Sequence, residues 1–231
     1  MSGKIVILSG AGISAESGLG TFRDVGGLWT QYDLSEVATP EGFARNPALV
    51  QDFYNARRAN AKGAAPNAAH EAVAQLQRDW PGEVVIVTQN VDDLHERGGA
   101  TGVIHMHGQL DQALCAACGQ RWPAPDEMAP DDPCPRCGVP ATRPDVVWFG
   151  EVPYAMDDIL AHLATAETFA AIGTSGEVYP AAGFVDLAGR AGAHTVELNL
   201  EPSSVVSRFD ETRFGKASDV VPEWVAGLLR G

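Results

Sequence analysis

Residues 10–29 read Gly-Ala-Gly-Ile-Ser-Ala-Glu-Ser-Gly-Leu-Gly-Thr-Phe-Arg-Asp-Val-Gly-Gly-Leu-Trp, directly after the apolar, β-branched run Lys4-Ile5-Val6-Ile7-Leu8-Ser9. That run reads as a buried strand. A strand entering Gly-x-Gly-x-x-Ala is where a dinucleotide fold seats a pyrophosphate. Gly10 is expected to permit the tight turn and Gly12 to let the backbone approach the phosphates. Ala15 is expected to replace the third glycine at the helix–strand contact. A hydride-transfer domain would return within about 20 residues to a second strand ending in an acid that holds the ribose. No such strand follows; the chain runs through a Gly-Gly turn into helical sequence. This pattern points to an enzyme that binds NAD and consumes it.

Further strand-like runs occur at residues 83–88, 102–106, 168–173 and 194–200, with helical patterns at 155–166, 181–191 and 221–229. Alternating strands and helices predict an α/β fold, a Rossmann-like parallel sheet covered on both faces. Two segments break the alternation. Residues 46–78 are helical, with Asn46-Pro47 and Pro66-Asn67 as start signals. Residues 114–143 are rich in proline, turn residues and cysteine. Both read as inserts forming a smaller lobe. The 231 residues are then one domain. A large lobe is expected at about 1–35, 80–112 and 145–231, and a small lobe at about 36–79 (helical) and 113–144, with a ligand cleft between them.

The four cysteines are Cys115, Cys118, Cys134 and Cys137, two Cys-x-x-Cys pairs each followed by glycine (Gly119, Gly138). Four thiolates at this spacing suit one tetrahedral zinc, and four protein ligands leave no place for a reactive water, so the metal would be structural. Two disulfides are the rival reading, disfavoured inside a cell. The net charge of −14, from 30 acidic against 16 basic residues, argues against nucleic-acid binding. It is equally compatible with plain solubility and with attraction of basic, lysine-containing segments. No run reaches the roughly 18 apolar residues of a membrane span. With the first strand beginning at Lys4, no targeting peptide is expected and the location is expected to be cytoplasmic.

Gly10-Ala11-Gly12-Ile13-Ser14 with Thr21-Phe22-Arg23 resembles the signature of the sirtuins, NAD-dependent protein deacylases. Thr88-Gln89-Asn90-Val91-Asp92, His107-Gly108, Gly173-Thr174-Ser175 and Asn199-Leu200-Glu201 follow in the family's order, so the resemblance spans nearly the whole chain. It implies a cofactor site built from Gly10, Ala11, Gly12, Ala15, Glu16, Thr21, Phe22, Arg23, Trp29, Gln89, Asn90, Val91, Asp92, Gly173, Thr174, Ser175, Asn199, Leu200, Glu201 and Ala217. It also implies that His107, rather than His105, is the catalytic base, with Asn90 and Asp92 shaping the nicotinamide pocket. From the residues alone, His107 beside glycine is as compatible with a structural role, and the Gln89–Asp92 stretch with an Asx turn. A neutral imidazole can accept a proton in a transition state, and a carboxylate can stabilise an oxocarbenium-like sugar.

Val147-Trp148-Phe149-Gly150-Glu151 resembles the family's peptide-binding strand, placing Val147, Phe149, Gly150 and Glu151 against an extended substrate. After Asn46-Pro47, Leu49, Phe53 and Ala56 form an apolar stripe, with Tyr54 and Arg57 on a neighbouring face. Tyr54-Asn55-Ala56-Arg57 is similar to the Tyr-x-x-Arg of class III sirtuins, which remove succinyl and malonyl groups. A guanidinium can hold a distal carboxylate bidentately, and Ala15 is expected to leave room for the longer chain. The implied reaction moves the acyl group from lysine to ADP-ribose, for acetyl as well as acidic acyl groups. Alternatives are mono-ADP-ribosyl transfer and a non-catalytic NAD-sensing module. The expected partners are acyl-lysine segments of proteins; the oligomeric state is left open, a monomer being compatible.

Overall fold

A computed structural model describes residues 3–20 and 32–231. Among the described residues the strands are β1 (Ile5–Ser9), β2 (Val84–Thr88), β3 (Ile104–His105), β4 (Gly108–Cys115), β5 (Arg121–Pro123), β6 (Thr142–Val146), β7 (Thr168–Ile172), β8 (His194–Asn199) and β9 (Glu211–Phe214). The helices are α1 (Leu34–Val37), α2 (Pro40–Arg45), α3 (Pro47–Gly63), α4 (Ala68–Asp79), α5 (Leu94–Arg97), α6 (Met156–Leu163), α7 (Phe184–Arg190) and α8 (Ala217–Arg230).

Six strands form one parallel sheet in the order β3-β2-β1-β7-β8-β9. Chain direction across the sheet therefore reverses at β1 and β7, the switch point where open α/β sheets hold ligands beyond the strands' carboxyl ends. The strands are unbroken apolar runs because both faces are covered. On one face Ile5, Ile7, Val84, Ile86, Ala170 and Ile172 pack with α4 and α8 through Val73, Leu76, Val221 and Trp224. On the other, Val6, Leu8, Val85, Val87, Phe169 and Ala171 meet Ile159 and Leu163 of α6 and Phe184 of α7. The predicted Rossmann-like sheet is present, with one addition. Edge strand β9, where Thr212, Arg213 and Phe214 are exposed, carries no apolar alternation to announce it.

The residues between β3 and α6 build a separate antiparallel sheet, β5-β4-β6. Helix α3 lies beside it, in a core of Val50, Phe53, Tyr54, Leu110, Val146 and Trp148. The 46–78 segment is two helices, each capped by the asparagine that begins it. The Asn46 side chain accepts from Leu49 N–H and the Asn67 side chain from Ala69 N–H. Helix α4, grouped by sequence with the small lobe, packs on the large sheet instead. The buried face of α3 also differs from the expected stripe. Val50, Phe53, Tyr54, Arg58 and Ala61 are buried, whereas Leu49 is only partly covered and Ala56 is exposed. Arg58 breaks the hydrophobic pattern because its guanidinium bonds Leu110 O at 2.7 Å and Asn55 Oδ1 at 2.8 Å, tying α3 to β4.

Candidate active site and metal centre

Beyond the carboxyl ends of β1 and β7, three glycines interlock. Gly10 N–H donates to Ile172 O and Gly12 N–H to Gly173 O, at 2.9 and 2.8 Å. A Cβ on Gly12 would lie 2.7 Å from Gly173 Cα, and one on Gly173 would lie 2.4 Å from Ile13 N. Gly173 is also left-handed, at φ +62°. Gly10 itself is ordinary extended backbone (φ −127°), so it is needed for this close approach rather than for a left-handed turn. The motif then enters two short 3₁₀ turns, Ala11–Ile13 and Ala15–Ser17, rather than a helix. Ala15 is consequently exposed and makes no helix–strand contact. Thr21, Phe22, Arg23 and Trp29 lie outside the described residues.

The ends of β2, β7 and β8 are joined side by side. Gln89 Nε2 donates to Thr174 Oγ1 at 3.1 Å, and Asn199 Nδ2 donates to Thr174 O at 2.8 Å. Leu200 and Glu201 are exposed at the rim and Ser175 is half-buried. Glu16 turns its carboxylate to the start of α8, accepting from Ser218 N–H at 2.9 Å and Ser218 Oγ at 2.8 Å, next to half-buried Ala217. Glycines, hydroxyls, amides and free rim positions at the switch point form a donor set that fits a dinucleotide.

A second layer, absent from the sequence reading, holds this loop. The Asn67 N–H donates to His70 Nδ1 at 3.2 Å, so the His70 proton resides on Nε2, which faces Ser14 Oγ at 3.3 Å. Ser14 Oγ also accepts from Asn90 Nδ2 at 3.1 Å and donates to Asp92 Oδ2 at 3.2 Å. Its hydroxyl is thus fully occupied. Beneath it, Ser9 Oγ donates to Thr88 Oγ1 at 2.9 Å and accepts from His95 Nε2 at 2.8 Å. Burial raises the Asp92 pKa, against the hydrogen bonds that favour its charge. The Asn67-x-x-His70 capping box was the available sign of one member.

Both deep imidazoles are neutral. Burial pushes His70 down to about 4 and His95 down to about 3. Their stabilising neutral form is fully present above the unfolded histidine value and is lost as pH falls through that window. Unfolding should therefore take up a proton at each, weakening the fold by up to roughly 3 kcal/mol per pH unit below about 6.5. Urea denaturation at pH 7, 6 and 5 measures the slope, and His95→Gln should cut it by about half.

His107 and His105 differ. His107 Nδ1 faces Gln89 O at 3.1 Å; a carbonyl only accepts, so the Nε2 lone pair is left as the basic atom. Burial lowers the His107 pKa, keeping it neutral. His105 faces acceptors on both sides, Asn90 O at 3.2 Å and Glu96 Oε1 at 2.7 Å.

On the small-lobe side, Tyr54 is buried and its hydroxyl accepts from Trp148 Nε1 at 3.0 Å. The Arg57 guanidinium carbon lies 5.5 Å from the Tyr54 ring centre. The Asp92 carboxylate favours the Arg57 charge against its burial. The tyrosine and arginine thus meet as the spacing suggested. The 147–151 segment is not a strand: β6 ends at Val146, and a turn at Gly150 follows. Val147 N–H donates to His107 O and Phe149 N–H to Ala38 O, both at 2.9 Å. The Glu151 carboxylate is held by Arg143 at 2.6 and 2.9 Å and by Trp148 N–H at 2.8 Å. Phe149 remains 48% exposed, available to a ligand.

Residues 10–180 match the model of the Sir2 family. The chain belongs to the Sir2 family. It is 57% identical over 230 residues to an NAD-dependent protein deacylase of Caulobacter vibrioides, covering 98% of this chain and 97% of that protein. A Salmonella typhimurium NAD-dependent protein deacylase is 54% identical over 231 residues, covering 99% and 85%. A crystal structure of a Sir2 homologue in complex with NAD superposes with a TM-score of 0.91 at 37% identity, covering 98% of this chain and 90% of that one.

The four cysteines of this Sir2-family chain converge as predicted, all sulfurs within 4.8 Å of one another. Cys115–Cys137 and Cys118–Cys134 are 3.8 and 3.7 Å apart. Tetrahedral zinc with Zn–S bonds of about 2.3 Å places sulfurs about 3.8 Å apart, whereas a disulfide requires about 2.05 Å. The geometry therefore selects the metal over the disulfides. The two halves repeat one turn: Gly119 N–H donates to Cys115 O and Gly138 N–H to Cys134 O, each at 2.9 Å, with both glycines at φ +71°. Among the described residues, no helix is long and apolar enough to cross a membrane.

Proposed function

We propose that this NAD-dependent protein deacylase removes succinyl- and malonyl-type groups from lysine as well as acetyl. The carrying observation is the guanidinium of Arg57 against the Tyr54 ring, on the side of the small lobe nearest Asp92. A planar cation there matches a distal carboxylate, and the Tyr54 hydroxyl has its own proton to donate because Trp148 already fills an acceptor position. Among buried groups a carboxylate is otherwise strongly disfavoured, so the cation decides which acyl chains enter.

Bound NAD supplies a ribose carbon that the acyl oxygen can attack as nicotinamide leaves. The Ala11 amide, in the close-packed backbone of the Gly10–Gly12 loop, with Thr174, Ser175 and Asn199 holds the dinucleotide, with Gln89 beside the ribose. Ser14 orients Asn90 and Asp92 at the nicotinamide end, where the Asp92 carboxylate favours developing positive charge. His107 Nε2 then takes the proton of a ribose hydroxyl. The acyl-lysine segment runs past residues 147–151, where the exposed Phe149 offers contacts. Lysine-containing segments suit a protein carrying a net charge of −14.

Matched acetyl- and succinyl-lysine peptides test this reading. Arg57→Met keeps bulk and deletes the charge, so desuccinylation kcat/KM should fall about ten- to a hundredfold, the worth of one charge-assisted hydrogen bond. Deacetylation should change little. A parallel fall in both would mean that α3 only supports the cleft.

A further inference from the structure

We propose that His105 is a positioning residue for the Asn90–Asp92 loop, held as an imidazolium between the Asn90 carbonyl and the Glu96 carboxylate. The inference rests on the deacylase reading, because Asn90 and Asp92 act through it. His105 Nδ1 lies 3.2 Å from Asn90 O and Nε2 lies 2.7 Å from Glu96 Oε1. Neither oxygen can donate, so a neutral ring would satisfy one acceptor and turn a lone pair toward the other. The side chain is only 5% exposed, so water does not substitute for either bond. Glu96, on α5, is 37% exposed and keeps contact with solvent.

Asn90 itself has three anchors. Asn90 N–H donates to Thr88 Oγ1 at 3.0 Å, the Asn90 amide donates to Ser14, and the carbonyl accepts from His105. The first two are neutral and unaffected by pH near neutrality; the third carries a charge. That charge also reaches Asp92, whose carboxylate it favours against burial. The titratable groups facing His105 are Glu96 and His95 on α5, Asp92 in the loop and Asp111 on β4. Burial opposes the cation, yet Glu96, Asn90 O and Asp92 together raise the His105 pKa. His107, two residues on, meets a single carbonyl and is driven the other way. One strand end thus presents a neutral base and a fixed cation, the separation that gives two like groups different tasks. The raised value means the His105 contribution to loop stability is complete below the unfolded histidine pKa and is lost as pH rises through the folded one.

The test combines pH profiles of kcat/KM for an acetyl-lysine peptide at saturating NAD with an NMR titration of the His105 ring, in wild type, Glu96→Gln, Glu96→Asp and His105→Gln. In wild type the ring should titrate above its ordinary value of about 6.5, and the alkaline fall in rate should track it. Glu96→Gln should move both down by about one pH unit, a charge-assisted bond being replaced by a neutral one. Glu96→Asp should restore most of the shift. His105→Gln should lose that alkaline limb and turn over about tenfold more slowly at pH 7. An alkaline limb unmoved in Glu96→Gln, or a His105 ring titrating at or below its ordinary value, overturns the proposal. Wild type turning over no acyl-peptide at any pH would overturn the deacylase reading itself, and this role with it.

Discussion

Replacing His107 with alanine should leave NAD binding intact and lower acyl-peptide turnover by about 10²–10⁴-fold, the usual contribution of a positioned general base. The geometry explains why the loss should fall on the chemical step. Gln89 O fixes the Nδ1 tautomer, and burial keeps the ring neutral. His107 itself is attached to the sheet by its carbonyl, which accepts Val147 N–H at 2.9 Å. That bond survives the substitution because it is backbone. The nucleotide loop at Gly10, Gly12 and Gly173 is held by other backbone bonds and is also untouched. In wild type the lowered pKa predicts an acid limb of kcat/KM below about pH 6.5, the ordinary imidazole value. Calorimetric NAD titration beside steady-state turnover checks the variant. A rate near that of wild type would remove His107 from the mechanism.

The parts of this site legible in the sequence were those whose partners lie close along the chain. Cys115 to Cys118 and Cys134 to Cys137 are local pairs, so their turn geometry follows from spacing and glycine. The core strands declared themselves as short apolar runs, and the asparagine caps of α3 and α4 as start signals. Gly10 and Gly12 stood out in the sequence as a turn and a phosphate approach, and the structure adds a cause the sequence does not show: what crowds them is Gly173, more than 160 residues away. The network of Ser14, His70 and His95 was not foreseen for the same reason. The Ser14–His70 contact spans 56 residues of sequence and the Ser9–His95 contact spans 86. A single buried histidine on an otherwise apolar helix face resembles ordinary core until its partner is known. The strand β5 and the end of β6 are set by the zinc turns and by α3 rather than by alternation, so their pattern was weak. Glu151 has a partner that its motif does not reveal, because Arg143 lies within reach only once the turn at Gly150 has formed.

Removing the zinc should be as costly as removing the base, although the metal takes no part in the reaction. The four sulfurs lie at the far end of the β4–β6 pair, where Cys115 is opposite Thr142. The other end of the same pair is Gly108 opposite Val146, directly after His107. A structural zinc contributes on the order of 10–16 kcal/mol in small peptides, far above the stability a three-stranded sheet has by itself. Cys134→Ser should therefore loosen the small sheet and, through β4, let the His107 backbone lose the Val147 bond. Turnover should fall steeply, while the large sheet, whose core is formed by α4 and α8 on one face and α6 and α7 on the other, stays folded. Metal analysis should find one zinc per chain in the wild type, and hydrogen exchange should show new opening confined to β4, β5 and β6 in the variant. A strong chelator should reproduce the variant's behaviour, with zinc readdition restoring it. Full activity and unchanged exchange at substoichiometric zinc would mean that α3, through the Arg58 bond to Leu110 O, suffices to hold β4 in place.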